Sequence, residues 1–304
     1  MKVFIIFIRE ITMTSKTDEI TREYFDSMLI TPRYLDSDLP DISISMFGRD
    51  YKTPVMTAAL SHLHNTCENG MIEFAKGAKE SGAMHFVGMG EDAELEDIIA
   101  TGADTVKIIK PHMDDNEVFR KIKHAVSHGA IAVGMDIDHA IGWNGEYDNV
   151  FGLPMRPKTT AQLSEYVKAA GVPFIVKGVL SASDAEKSVE AGAAAILVSH
   201  HHGIMNCMVP PLMILPEIVE AVNGKAKIIV DCGIESGMDV FKALALGADG
   251  VGVGRNLMGP LKDGAKGVAE RIDAINRELI TVMARTGAKT IAEIDPSVIR
   301  YRYF

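Results

Sequence analysis

The chain has little cysteine. Cys67, Cys207 and Cys232 are its only three in 304 residues, widely spaced and without a CxxC pair. That excludes a disulfide framework and a thiolate zinc site, and it fits a reducing cytoplasm. Basic runs are also lacking, and the formal net charge is −10. A nucleic-acid groove or an anionic membrane surface is thereby excluded as the main partner, although a small anion needs only a few backbone N–H groups and one arginine. Long hydrophobic runs are missing too. The opening MKVFIIFIRE is apolar only from Val3 to Ile8 before Arg9 and Glu10, too short for a membrane span and without a small-residue cleavage site.

What is present is a large apolar fraction, 47% of the chain against 24% charged, with no low-complexity tract. Such a chain buries a sizeable core, and an α/β barrel of this length is an ordinary single domain. Met13-Thr-Ser-Lys-Thr-Asp-Glu reads as a second plausible start, its Ser, Thr and Asp capping a helix through Ile20–Phe25. Residues 1–52 are expected to form an N-terminal extension and a helix capping the rest, and residues 53–304 the main domain.

Eight short apolar runs recur, each followed by a polar segment of helical spacing. They are Pro54–Ala58, Met84–Gly88, Thr105–Ile109, Ala130–Asp136, Pro173–Lys177, Ala194–Ser199, Ala226–Asp231 and Gly250–Gly254. Most are continuous rather than alternating, as strands covered on both faces should be. SASDAEKSVEAGA begins with a Ser/Asp cap and stops at Gly192, and SGMDVFKALALGA stops at Gly247. Eight such repeats without a domain break predict a (β/α)8 TIM barrel in preference to an open doubly wound sheet. The longest gap holds HAIGWNGEYDNVFGLPMRP and reads as an active-site lid at about 138–160, after the fourth strand.

In such a barrel the chemistry sits at the C-terminal ends of the strands. Those ends supply Thr57, Ala58, Ala59, His62 and His64; Lys107 and His112; Asp136, Asp138 and His139; Lys177; Ser199 to His202; Asp231; and Gly254 with Arg255. A lysine directly after the apolar PFIV is not what a solvated rim requires, and a buried Lys–Asp structural pair is its plain alternative. The seventh and eighth runs end in DCGIESG and GVGVGRNLM. Glycine turns there let N–H groups approach a phosphate, with Arg255 adding charge. The plain alternative is that these glycines only shape tight turns.

The stretch from Pro173 to about Met258 resembles the FMN-dependent α-hydroxy-acid oxidase/dehydrogenase family, and the resemblance continues more weakly, in order, from Pro54. The family's Lys-Gly pair, its Ser-Asn-His-Gly-Gly-Arg motif, its Asp-Gly-Gly-x-Arg motif and its Gly-Arg pair read here as Lys177-Gly178, Ser199–Ile204, Asp231–Glu235 and Gly254-Arg255. The resemblance implies a cytoplasmic oxidoreductase, a homo-oligomer (a tetramer among the options), with FMN as cofactor and a small-molecule substrate. It implies that Lys177 lies beside the flavin N1/O2 edge, where its charge stabilises the reduced ring. Asp231 would hold ribityl hydroxyls, Gly233, Gly254 and Arg255 the phosphate, and backbone groups of Thr57, Ala58 and Ala59 would face the ring. Lys107, Asp136 and Ser199 complete the implied cofactor set.

By the same resemblance His201 is the base that takes the substrate hydroxyl proton, with His202, Ile204 and His139 lining the substrate. Three consecutive residues leaving a strand point in different directions, so no metal ligand set is assigned to them. His62, His64, His112 and His139 around the same rim keep metal binding open. Four departures stand out. The two arginines that clamp the substrate carboxylate in the family are Ile204 and Asn144 here, the tyrosine of its Gln-Leu-Tyr motif is Ile109, and the arginine of Asp-Gly-Gly-x-Arg is Glu235. Without forked donors, bidentate carboxylate recognition is lost, so a simple lactate- or glycolate-type substrate is not expected. Two other readings stay open. One is a flavin enzyme of the isopentenyl-diphosphate-isomerase or IMP-dehydrogenase branch, although no loop cysteine supports the latter's nucleophile. The other is a non-redox barrel binding a phosphorylated metabolite, or a metal-dependent lyase using Asp136, Asp138 and the rim histidines.

Overall fold

Each of the eight apolar runs forms a strand in the computed structural model, which describes residues 16–302. The strands are β1 Val55–Thr57, β2 His85–Val87, β3 Thr105–Ile109, β4 Ala132–Asp136, β5 Phe174–Val179, β6 Ala195–Val198, β7 Lys227–Val230 and β8 Gly250–Val253. The apolar stretch Val3–Ile8 and Met13, Thr14 and Ser15 of the expected cap lie outside the described residues, while Thr17 and Asp18 fall in the first turn of the first helix. The helices are α1 Lys16–Ser27, α2 Gly70–Glu80, α3 Asp92–Ala100, α4 Asp115–Ser127, α5 Thr160–Ala170, α6 Ala182–Glu190, α7 Pro211–Val222, α8 Gly237–Ala245 and α9 Gly264–Thr286.

All eight strands are parallel and hydrogen-bonded in the order β1-β8-β7-β6-β5-β4-β3-β2. The two ends of that order meet. Thr57 N donates to Met84 O at 3.2 Å, Gly88 N donates to Leu60 O at 2.9 Å, and Phe86 N donates to the Thr57 hydroxyl at 2.9 Å. The Thr57 side chain thus supplies a bond that the short β1 ladder cannot. The result is the expected TIM barrel, nearly closed.

Side-chain alternation sorts the apolar residues into two layers. Met56, Met84, Phe86, Val106, Ile108, Ile175, Leu197 and Ile229 fill the barrel interior. Their neighbours one position along, such as Val87, Ile109, Val176, Ile196, Val230 and Val251, pack outward against the helices. A short hairpin, Ile44–Met46 with Arg49–Tyr51, sends Met46 and Tyr51 into the interior cluster. Lys52 N bonds Gly82 O and Tyr51 Oη bonds Asp104 just before β3, so this hairpin plugs the end opposite the strand tips. With that end stopped, chemistry is confined to the other.

Two helices begin as their sequences require. Ser181 caps α6 by accepting from Asp184 N, and Ser236 with Asp239 forms a capping box on α8. No helix among the described residues is long and apolar enough to cross a membrane.

Candidate active site

The fifth strand does not end at Lys177, as the apolar run suggested. It continues to Val179 through an irregularity between Lys177 and Val179, with Gly178 at φ 89°. A bulge re-aims the residues beside it. Here it also makes room, because a Cβ on Gly178 would lie 2.5 Å from Asp138 Cγ. The Lys-Gly pair therefore lets Lys177 stand on the inward face while the carboxylate after β4 closes over its neighbour.

Lys177 is 4% exposed and its Nζ lies 2.8 Å from Asp136 Oδ1; the other Asp136 oxygen accepts from Lys110 Nζ at 2.9 Å. Burial alone would raise the Asp136 carboxyl, but Lys110, Lys177 and His201 outweigh it and hold it well below the usual carboxylate range. Burial likewise works to lower Lys177, and Asp136, Asp231 and Asp138 reverse the sign, so its ammonium is held above the ordinary lysine value. Both groups are charged at neutral pH. The buried Lys–Asp pair is thus present, and it leaves Lys177 on the inward face at the strand end.

The three histidines separate cleanly. His200 is fully buried, and its Nδ1 accepts from Gly203 N at 3.1 Å, so Nε2 carries the proton toward the Thr21 hydroxyl at 3.0 Å. Burial lowers its pKa, and it acts as a neutral clasp between the β6 loop and α1. His201 is the one turned to Asp138. Its Nδ1 lies 3.1 Å from both Asp138 oxygens, its side chain is 26% exposed, and Lys177 Nζ is 3.3 Å away. Two carboxylate oxygens at 3.1 Å outweigh the Lys177 ammonium at 3.3 Å, which could only donate to the same nitrogen, and so favour the proton on Nδ1 with Nε2 as the basic nitrogen. Burial would raise the Asp138 carboxyl, yet His201 and Lys177 hold it down. His202 turns the other way, its Nδ1 2.7 Å from Asp18 of α1. His201, His202 and Gly203 all take left-handed φ, 49°, 56° and 70°. For non-glycine residues that conformation costs roughly 1–2 kcal/mol each, and strain of this kind collects at functional sites.

His139 sits edge-on to His201 with ring centroids 4.7 Å apart, and it bonds Asp148 at 2.8 Å. Burial, then the charges of Lys110 and His201, lower its pKa to about 4. Ile204 is half-buried and offers no charge. Asn144 is exposed, its amide turned to Glu146. Neither is an anion clamp.

At the tips of β7 and β8 the geometry suits a phosphate-bearing ligand. The N–H groups of Gly233, Gly254 and Arg255 donate to no other group among the described residues. Cβ atoms on Gly252 and Gly254 would fall 3.2 Å from Asp231 Cβ and Ala58 Cβ, so Ala58, Asp231 and these glycines converge on one small surface. Ser199, next to it, accepts from His201 N at 3.1 Å. Arg255 is paired with Asp18 at 3.0 Å, and burial of Asp18 is outweighed by His202 and Arg255, which keep it ionised.

Lys107 is a correction. Val106 and Ile108 point inward, so Lys107 and Ile109 face the helix layer; its Nζ donates to Gly88 O, and Asp92, Glu94 and Lys121 surround it. Burial lowers that amine to about 8. The inward cation of β3 is Lys110, which the pairing of the Gln-Leu-Tyr motif with residues 107–109 missed. Alternation was the available signal, since 106, 108 and 110 share a face. Thr57 also serves the barrel more than the mouth, with its hydroxyl on His85 Nδ1 at 2.9 Å and its N–H spent on closure. Asp138 enters as the partner of His201, and Arg271 of α9 joins the two glycine loops by bonding Glu235 O at 2.8 Å and Asn256 Oδ1 at 2.6 Å. Glu235, which stands where the resemblance calls for an arginine, is thus tied by its own carbonyl to an arginine from elsewhere.

The segment after β4 crosses the mouth. Phe151 packs against His62 of the β1 loop with ring centroids 5.2 Å apart. Ile141, Trp143, Tyr147, Phe151 and Leu153 are all exposed, Trp143 at 71%.

Comparison with known proteins gives one consistent picture. The family described as FMN-dependent dehydrogenase matches residues 2–170 and 159–301. An L-lactate oxidase of Lactobacillus jensenii is 32% identical over 91% of this chain and 76% of its own, and glycolate oxidase 3 of Arabidopsis thaliana is 29% identical over 92% and 86%. Among solved structures, a mandelate oxidase variant with a monooxide FMN adduct superposes with a TM-score of 0.85 at 28% identity, covering 95% of this chain and 92% of that one. An arginine-to-leucine variant of mandelate oxidase with 2-hydroxy-phenylacetamide superposes at 0.86 and 26% identity, covering 96% and 92%.

Proposed function

The chain belongs to the FMN-dependent dehydrogenase family and is an FMN-dependent oxidoreductase acting on a CH–OH group, and from that premise we propose that it oxidises a 2-hydroxy compound other than a small free 2-hydroxy acid. The observation that carries the catalytic part is the His201–Asp138 pair at 3.1 Å. It leaves His201 Nε2 basic, so that nitrogen takes the proton of the substrate hydroxyl. Asp138 holds the tautomer and stabilises the imidazolium that results. FMN, when bound, supplies the hydride acceptor. The open N–H groups of Gly233, Gly254 and Arg255 would hold its phosphate, Asp231 its ribityl hydroxyls, and Lys177 would place a fixed positive charge beside its ring.

The substrate part rests on missing charge. Ile204 and Asn144 give no forked donor, and the inward cation Lys110 is already committed to Asp136 at 2.9 Å. A carboxylate brought into this pocket without a partner costs several kcal/mol of desolvation. The lid instead offers Trp143, Tyr147 and Phe151. A mandelate oxidase that has lost an arginine to leucine has been seen with an amide in place of the acid, and this supports an uncharged carbonyl neighbour to the hydroxyl.

Anaerobic mixing with lactate, glycolate, mandelate and the corresponding amides and methyl esters, followed at the flavin's visible band, tests this. The amides and esters should bleach the flavin faster than their parent acids. Rapid bleaching by lactate or glycolate would overturn the substrate assignment and leave Lys110 as the cation that replaced the clamp.

A further inference from the structure

On the outside of the barrel, far from the chemistry above, two histidines and a glutamate meet. His124 lies in the last turn of α4 and His128 caps it, four residues on and still helical at φ −97°, ψ 0°. Residues four apart share a helix face, and the rings stand 4.3 Å apart. Glu96 comes across from α3, with Oε1 3.0 Å from His124 Nε2 and 3.6 Å from His128 Nε2. We propose that Glu96, His124 and His128 bind one divalent cation of the zinc class.

The hydrogen bonds show why a cation belongs there. His128 Nδ1 lies 2.8 Å from the His124 carbonyl, which only accepts, so Nδ1 carries the proton. Neutral His128 therefore turns a bare Nε2 lone pair toward the Glu96 oxygen. That lone pair, 3.6 Å from a carboxylate oxygen that also faces His124 Nε2 at 3.0 Å, gives a divalent cation three donor atoms at one point. The backbone carbonyl behind Nδ1 is the usual outer partner of a metal-bound histidine, fixing its tautomer. The spacing agrees as well. Tetrahedral zinc with N and O ligands at about 2.0–2.1 Å sets its ligand atoms about 3.3 Å apart, between the two separations found. The three ligand atoms all lie within 4.8 Å of one another.

Nearby charges leave the site intact. Arg120 takes both Glu117 and Asp92, and Lys121 stands 3.5–3.7 Å from the same two carboxylates, so neither cation is turned on Glu96. The interior triad Asp136, Asp138 and His201 also brings three ligand atoms within 4.8 Å. There, however, Lys110 and Lys177 already supply two ammonium groups, and a dication would face both. The outer triad has no such competitor, and a bound ion would clip α3 to α4.

The test uses the full FMN-loaded protein, freed of metals by chelator and dialysed. Calorimetric titration with zinc sulfate should show one saturable equivalent, and cobalt(II) should give the visible absorption of a tetrahedral N/O site. His124→Gln or His128→Gln should weaken zinc binding by more than about 10-fold, and the double variant should abolish it, with FMN content unchanged. Zinc should raise Tm of the parent protein and not of the double variant. Glu96→Gln gives a second route should a histidine variant fold poorly. No saturable binding by the parent protein overturns the proposal, as does binding that survives the double variant.

Discussion

The strand ends and the loops beyond them handle polarity in opposite ways at the barrel mouth. At the ends of β3 to β6, charge is paired: Lys110 and Lys177 share Asp136 at 2.9 and 2.8 Å, and Asp138 holds His201 at 3.1 Å. In the loops beyond, the segment after β4 leaves Ile141, Trp143, Tyr147 and Phe151 in solvent, and the positions expected to carry arginine hold Ile204 and Asn144. The difference separates two tasks. Proton transfer needs a group fixed in one tautomer, which for His201 the Asp138 carboxylate favours. Recognition needs a surface matched to one substrate, and it can change without disturbing that pair.

The sharpest way to break the comparison is to remove the base. His201→Asn should lower the rate of flavin reduction by about 10²–10⁴-fold, the usual contribution of a positioned general base, while FMN occupancy and fold persist. Stopped-flow reduction with the best substrate from the amide and ester panel measures this. A variant that keeps a tenth of the parent rate would show that the ionic pairing at the strand ends is structural.

Next comes the fixed charge. Lys177→Met should lower the flavin midpoint potential and weaken sulfite, which adds to flavin as an anionic adduct, by about 10–100-fold, the scale of one charge-assisted contact. Asp136 keeps Lys110 as a partner, so folding should survive. Unchanged potential and sulfite affinity would leave Lys177 with its Asp136 partnership alone.

Asp138 gives a pH signature. Its folded pKa is depressed, so the stability it contributes is present above the unfolded value of about 3.9 and is lost as pH falls through the folded value. Asp138→Asn should therefore cost about 1–3 kcal/mol near neutrality, the scale of a hydrogen bond to a charged group. The gap from the parent protein should close as urea midpoints are followed from pH 7 into acid. A gap constant with pH would mean that Asp138 acts by packing rather than by charge.

The same division governs what was legible in the sequence. The eight strands were readable because each is a continuous apolar run, and a strand buried on both faces leaves that mark. Lys177, His201, Asp231 and Arg255 were readable as charged or polar residues at the ends of such runs. The one-residue slip at β3 was costly because strand alternation turns it into an exchange of faces: it paired the motif with the outward Lys107 and Ile109 instead of the inward Ile108 and Lys110. The β5 bulge left no apolar trace. Asp138 and Arg271 acquire their roles from partners 63 and 36 residues away, and no local pattern announces such a pairing.

Arg271 offers the finest test, set against Arg255. Arg255 adds a guanidinium next to an open backbone N–H, so Arg255→Ala should weaken FMN binding by about 1.5–3 kcal/mol. Arg271 acts differently. Its Nη2 holds the Glu235 carbonyl and its Nε holds Asn256, which ties the loop after β7 to the loop after β8. Those loops carry Gly233 and Gly254, whose N–H groups must face one phosphate together. Loss of the tie leaves every N–H in place but lets the two loops move apart, so the cost is one of pre-organisation. Arg271→Ala should therefore weaken FMN by about 1 kcal/mol, near 5-fold, the scale of a single partly exposed hydrogen bond. Arg271→Lys, which can bond one loop but cannot fork onto both, should recover little. Fluorescence titration of the apoprotein with FMN and with riboflavin separates the cases, because riboflavin lacks the phosphate. A loss confined to FMN supports the tie; an equal loss for both ligands would place Arg271 in general barrel stability instead.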